Sequence, residues 1–539
     1  MSISLTHRRK FLQSAVLLTA LPGAAYGISS SIAINVKSHG AKGDGKHIDS
    51  PAINAAIDAA AAAGGGTVHF PAGTYLSASI RLKSNITLHL DNGAVIEAVD
   101  WKLAPYDLPE FNPVAEKYQD FGHSHWQNSL IWGIGLHNVS ITGAGLIHGK
   151  GLNSGFDRFA EQSPKDRRYR DGGPGEGNKA IALRDCRNVI LRDFSILHGG
   201  HFGILATGVD SLLIDHLKID TNRDGMDIDA CNNVRVTNCS VNAPWDDGIC
   251  LKASYGLGKI RHCENVTISD CYLAGNFDEG TQLDGTFKRS SPAYKSYRTG
   301  RIKLGTESNG DFRNIAITNC VFDESRGIAI ESVDGSHIED VTITNITMRD
   351  VANDPIFIRL GARLRGPDKP PVGTIKRINI SNIVVSGANG GYATTLSGIP
   401  GHPIEDVSIS QVRIQTKGGG TADASNRVPP EEPSAYPEPG MFGASPAYAF
   451  FIRHVRGLEL HQVTVTYLDA EERSAIVLDD VKDVVFRSIN VRPGRNGAAL
   501  MDLRGASELS VKDMRHLADF DVTPTTVRKV FATSTVAAP

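Results

Sequence analysis

The chain has 539 residues, 41% hydrophobic, 7% aromatic and with 55 glycines, a length beyond which a single compact core stops growing, so several domains or a repeat array is required. A formal net charge of −3 gives no global field for nucleic acid or an anionic membrane, so an anionic ligand has to be met by local cations. Seven cysteines are an odd number, which argues against a complete disulfide framework, and no C-x-x-C or H-E-x-x-H spacing offers a metal site.

The N-terminus, His7-Arg8-Arg9-Lys10-Phe11-Leu12-Gln13 followed by the apolar run Ala15 to Leu21 and the small residues Ala24, Ala25 and Gly27, reads as a twin-arginine export signal over residues 1–28. The run is too short to span a bilayer. The expected product is a periplasmic or secreted monomer without a membrane anchor or nucleic-acid partner. It divides into a β-helical catalytic domain over 29–522 and a fraying tail over 523–539.

After a strand at Ile34-Asn35-Val36, the segment GAKGDGKHIDSP leads into a helix with Ser50 as N-cap and Pro51 at the first helical position. The helix runs through INAAIDAAAAA and stops at Gly64-Gly65-Gly66. Its expected task is to cover the open first coil of a stack, which no neighbour covers.

A window of the form N-[VI]-x-[IV]-x-[ND]-x then recurs, starting at Val139, Val189, Leu212, Val234, Val266, Ile315, Val341, Ile378, Val407, Leu458 and Val484. Each copy alternates with period two, is rich in β-branched residues and is bounded by Asn, Gly or Asp. Consecutive starts lie 22 to 51 residues apart. A base of about 22 to 30 residues per coil with inserted loops is the signature of a parallel β-helix, an all-β fold. Cys239, Cys271 and Cys320 take the same place in successive copies and should stack as interior free thiols. The insertions fall at 100–127, 151–178, 276–300, 361–373 and 418–446, where they can wall a cleft.

Asp224 lies 12 residues after Leu212, and Asp246 lies 12 after Val234, which places one above the other in adjacent coils about 4.8 Å apart at the backbone. Asp247 follows at a bend and can face the same cleft. The same offset adds His201 and Asp278, with Glu279 beside it, so a column of His201, Asp224, Asp246 and Asp278 is expected. Carboxyls this close raise at least one pKa, as a glycosidase needs in order to keep one acid protonated and another ionised. A single Asp at a coil corner makes a turn; DGMDID and WDDG in register exceed what turns require.

At these residues the chain resembles glycoside hydrolase family 28, the polygalacturonase family of single-stranded right-handed parallel β-helices of the pectin-lyase-like type. The stretch NVKSHGAKGDGKHIDSPAINAAIDAAAAAGGGTVHFPAGTYL and its continuation to AVIEA, and the core over 138–348, look like the family's bacterial members. Its Asn-x-Asp signature matches Asn222-Arg223-Asp224, with Arg223 where Thr is usual, and its Asp-Asp pair matches Asp246-Asp247. The resemblance implies an inverting pectin hydrolase that needs no cofactor or metal. In it Asp246 would be the general acid, while Asp224 and Asp247 would hold and activate water, at carboxyl separations of about 6.5 to 9.5 Å. Asn222, His201, Lys252, Asp278 and Glu279 are candidates for substrate contact.

Two family features are missing. Thr299-Gly300-Arg301 replaces a Gly-His-Gly turn, and Ala329-Ile330-Glu331 replaces an Arg-Ile-Lys strand whose cations bind a galacturonate carboxylate. Arg301 and Lys303 one coil earlier, and Arg359 one coil later, are candidate replacements, since Arg suits carboxylate recognition. Glu331 would repel a uronate there, so the reaction type carries over better than the sugar, and the insertions favour exo action on oligosaccharides. The competing expectations are a β-helical polysaccharide lyase, which needs calcium and a Lys or Arg base, and a non-catalytic carbohydrate-binding β-helix.

Overall fold

A computed structural model of the chain describes residues 33–153, 175–289, 298–523 and 526–532. Residues 1–28, expected to form an export signal, lie outside the described residues. Nearly all described strands join one continuous sheet, predominantly parallel, wound into coils. A coil contributes three short strands, as when Phe202–Thr207, Asp210–Asp215 and Lys218–Asp220 pair in parallel with Asp224–Asp229, Asn232–Thr237 and Ser240–Asn242 of the next.

The recurring windows form one of the three faces, in register along the stack. Val139 pairs with Val189, then come Leu212, Val234, Val266, Ile315, Val341, Ile378, Val407, Leu458 and Val484. These side chains are buried, as are the apolar residues two places on, which is what period-two alternation delivers. The Asn before a window's apolar residue is left-handed, with φ between 53° and 59° at Asn138, Asn188, Asn233, Asn265 and Asn314. Asn tolerates this conformation because its amide bonds locally. Here the amides stack: Asn188 Nδ2 donates to Asn138 Oδ1 at 2.7 Å, and Asn138 to Asn85 at 2.8 Å.

All seven cysteines are buried and unbridged. The thiols of Cys239, Cys271 and Cys320 touch in sequence along the stack.

Both ends are covered. Helix α1 (Ser50–Ala62) buries Ile53, Ala56, Ile57 and Ala60 against the first coils. Its N-cap is Asp49 and not Ser50. The Asp49 carboxylate accepts from the backbone of Lys42 and Gly43, and the Ser50 hydroxyl accepts from Ala78 N, so tertiary contacts displace the expected cap. At the far end, Phe520–Val522 and Lys529–Phe531 fold back antiparallel onto Met501–Met514. The segment expected to fray therefore supplies an edge strand, and Phe531 stacks on Phe520 with ring centroids 4.1 Å apart. Among the described residues no helix is long and apolar enough to cross a membrane.

Candidate active site

The cleft face is made of β1 (Phe202–Thr207), β2 (Asp224–Asp229), β3 (Ile249–Ala253), β4 (Ile302–Ser308), β5 (Ile328–Ser332) and β6 (Ile356–Leu360). Unlike the window face, it is buried on both sides while carrying charge: Asp227, Asp229, Lys252, Lys303, Glu307, Glu331 and Arg359 are all at most 4% exposed. The insertions cover it.

Asp224 opens β2, and Asp246 and Asp247 stand just before β3. One oxygen from each of the three lies within 4.8 Å of the others. Glycines permit this approach, because a Cβ at Gly225 would sit 2.5 Å from the Gly248 carbonyl oxygen, and one at Gly203 would sit 2.5 Å from that of Gly225.

The register differs by one residue from the expected column. Phe202, not His201, pairs with Asp224, since the bend containing Gly199 and Gly200 is one residue longer than the corresponding bend in the next coil. Between β2 and β3 the pairing of Met226 with Ile249, carried back two residues, sets Asp224 opposite Asp247. Asp246 is therefore level with Arg223 and His201, and the three meet as side chains. Arg223 Nη2 lies 3.0 Å from Asp246 Oδ2, and Arg223 Nη1 donates to His201 Nδ1 at 3.3 Å. The side chains of Asp278 and Glu279 lie outside the described residues.

The three carboxyls have different environments. Two ionised carboxylates 4.8 Å apart repel by about 3 kcal/mol at an effective dielectric near 20, so the three do not ionise independently. Burial, then the neighbouring Asp227 and Asp246, push the Asp224 carboxyl well above the usual range. Burial would also raise Asp247, but Arg301 and Lys303 outweigh it and hold that carboxyl below the usual range. Arg301 Nε donates to Asp247 Oδ1 at 2.7 Å, and Lys303 pairs with Asp247 Oδ2. The two cations expected to replace the family's pair thus ion-pair with a cleft aspartate.

Other expected contacts are differently placed. Lys252 Nζ is 2.8 Å from Glu307 and 3.5 Å from Asp227. Arg359 anchors an insertion: its guanidinium donates to the Ser397 hydroxyl and to the carbonyls of Gly398, Glu431 and Glu432, and lies over the Phe442 ring. Those bonds use it to fasten the loop and not to reach the aspartates. Asn222 is buried and accepts from Trp245 N through its carbonyl. Burial, then Arg223 and His123, keep His201 well below its ordinary pKa, and hence neutral. Glu331 is fully buried, accepts from the Thr306 hydroxyl at 3.0 Å, and is pushed up to about 7 by burial against the pull of Arg301 and Lys303.

Several site residues were not reached from the sequence. Asp227 and Glu307 lie in the cleft strands and follow from the β2 and β4 register once that is known. His123 comes from the 100–127 insertion, 3.3 Å from Asp227 and edge-on to Phe202. Glu438 comes from the 418–446 insertion, with Oε1 at 2.6 Å from Arg301 and 2.8 Å from Arg326. Tyr436 two residues earlier is 52% exposed. Insertions carry no repeat register, so no spacing argument finds these.

Residues 33–99 match the family model for rhamnogalacturonase A/epimerase, pectate lyase-like, and residues 171–291 match the right-handed β-helix region model. A probable polygalacturonase from Vitis vinifera is 25% identical over 70% of this chain and 72% of its own length. The exo-poly-α-D-galacturonosidase of Dickeya chrysanthemi is 27% identical over 41% of this chain and 42% of its own. The chain is thus similar to polygalacturonases and exo-polygalacturonosidases, which are glycoside hydrolases. The fold agrees: the family 28 exopolygalacturonase of Yersinia enterocolitica superposes with a TM-score of 0.59 at 18% identity, over 86% of this chain and 78% of that one. This polygalacturonase-like chain carries Arg223 against one aspartate of its cleft, and Arg301 with Lys303 against another.

Proposed function

We propose that the protein is an exported, exo-acting hydrolase of pectic oligosaccharides in which Asp224, Asp246 and Asp247 carry out acid and base catalysis. The observation that carries this reading is the convergence of the three carboxyls in electrostatically unequal settings, one proton-retaining and one held ionised, the division that general acid and base work requires. The curated relatives act on galacturonan by their names, which supports a pectic substrate. Arg223 on Asp246 and the proton-retaining setting of Asp224 favour Asp224 as the acid of the resting site, the reverse of the roles implied by resemblance.

Closure of the cleft supports exo action. The 100–127 and 361–373 insertions approach each other, with Asp120 3.6 Å from Arg365, while Gln119 donates to Asn309 at 3.0 Å. The 418–446 insertion comes in over Arg301. Oxygen separations within 4.8 Å are shorter than the roughly 6.5 to 9.5 Å of inverting carboxyl pairs. Inversion is accordingly proposed on the family resemblance and not on the spacing.

One experiment addresses the reaction, its direction and its stereochemistry: digestion of polygalacturonate, rhamnogalacturonan and their oligomers, followed by NMR of the first sugar released. Monosaccharide release with inverted anomeric configuration is expected. Release of an unsaturated, ultraviolet-absorbing sugar in a calcium-dependent reaction would make the protein a lyase. For export, Arg8→Lys with Arg9→Lys should retain the protein in the cytoplasm, and unchanged fractionation would remove the twin-arginine assignment.

A further inference from the structure

The cations of the cleft are already occupied. Arg223 holds Asp246, Lys252 holds Glu307, Lys303 holds Asp247, and Arg301 holds Asp247 and Glu438 together. Arg326 shares the same Glu438 oxygen. This last contact is notable for its geometry: one carboxylate oxygen received between two guanidinium groups, at 2.6 and 2.8 Å, is how a site of this kind would receive the carboxylate of a uronic acid. The protein supplies that carboxylate itself, from a loop fastened by Arg359 and Arg453 through the carbonyls of residues 429 to 432. Beneath Arg301, 3.9 Å from its Nη2, lies the fully buried Glu331.

A uronate entering here would have to displace Glu438 and leave its charge uncompensated, next to the ionised Asp247. Both terms oppose binding: one acts by occupying the cations and the other by repulsion, the two devices by which a site rejects a ligand. A neutral sugar meets neither obstacle. Glu438, 26% exposed at its side chain, and the Tyr436 ring offer it hydrogen-bond acceptors and an apolar surface without a demand for charge.

Building on the hydrolase reading above, we infer that the sugar held beside Asp247, Arg301 and Arg326 is uncharged, a neutral hexose or 6-deoxyhexose unit of a pectic fragment and not a galacturonate. Glu438 is then a specificity residue that fills the carboxylate position.

The test compares matched substrates on the full chain. One set is p-nitrophenyl α-D-galacturonide against the corresponding α-D-galactoside and α-L-rhamnoside; the other is alternating rhamnose and galacturonate oligosaccharides ending in either sugar. In whichever set is turned over, kcat/KM for the better neutral substrate should exceed that for the uronate at least tenfold, and Glu438→Gln should narrow the ratio by releasing Arg301 and Arg326. Equal or greater activity on the uronate would overturn the inference while leaving a working hydrolase. Inactivity on every substrate, in protein whose melting curve shows it folded, would instead bring down the hydrolase reading and the inference with it. If Glu438→Gln fails to fold, methyl esterification of the uronate substrate asks the same question, and a rise in its turnover is the expected result.

Discussion

The two faces of one coil obey different rules. On the window face, Val189, Leu212, Val234 and Val266 follow one another in register with the same apolar chemistry, and these inward side chains have only packing to satisfy. On the cleft face, only a few residues along the same chain, successive coils place Phe202, Asp224 and Asp247 at one level, with Arg301 reaching back to the last of these. The window face shows what a stack needs in order to exist. The cleft face shows what it can carry once a neighbouring face has fixed its register, and its buried ions depend on one another as the valines do not.

The largest effect separating the faces should come from the aspartates. Replacing Asp224, Asp246 or Asp247 by Asn should lower kcat by about 10² to 10⁴-fold, the usual contribution of a positioned acid or base, with little change in melting temperature for Asp246, which is the most exposed of the three. The general acid among them is identified by the leaving group: activity lost with a poor leaving group returns with an activated aryl glycoside only in the variant that lacks the acid. Recovery in Asp224→Asn and not in Asp246→Asn is expected, and the opposite pattern would return the acid to Asp246.

The converse substitution is on the window face. Ile268→Ala, at a fully buried site, should cost about 2 to 5 kcal/mol of stability, measured as a lowered denaturation midpoint, while kcat of the folded fraction stays at the parent value. A loss of kcat without a loss of stability would mean that the faces are coupled more closely than their chemistry suggests.

A third test uses pH. Glu331 has its pKa raised to about 7 from an ordinary 4.5, so below pH 4.5 folded and unfolded chains both hold the proton. Between 4.5 and 7 the folded chain holds the proton and the unfolded chain does not. Stability is then lost as pH rises through that window and is flat above it. Glu331→Gln keeps an acceptor for the Thr306 hydroxyl and removes the titration. The variant should match the parent near pH 4.5 and exceed it near pH 8 by on the order of 3 kcal/mol, because each pH unit between 4.5 and about 7 takes about 1.4 kcal/mol from the parent alone. Parallel stability curves would refute the assignment.

The same contrast explains what could be read in the sequence. The windows repeat, so period and offset were enough to pair Val139 through Val484 and to bring Asp224 and Asp246 to neighbouring coils. The offset failed by one residue at Gly199 and Gly200, because a bend between strands is free to vary in length without disturbing the packed face. His201 consequently meets Arg223 and not Asp224. Arg301 and Lys303 were visible as cations, but not their attachment to Asp247, and Arg301 is held as well by Glu438 in an insertion that shares no register with the coils.

The smallest effect expected returns to the window face and concerns its corners. Asn188 sits at φ 53° and donates to Asn138 across one coil. Ala there would carry a left-handed backbone without the amide that makes it tolerable, at a cost of about 1 to 2 kcal/mol. Gly would keep the conformation and lose only the side-chain bond, so Asn188→Gly should lie between parent and Asn188→Ala in denaturant midpoint. If the two variants were equally destabilised, the stacked amides and not the backbone conformation would be what the corner Asn supplies. The ladder would then count as a fourth, polar spine of the helix.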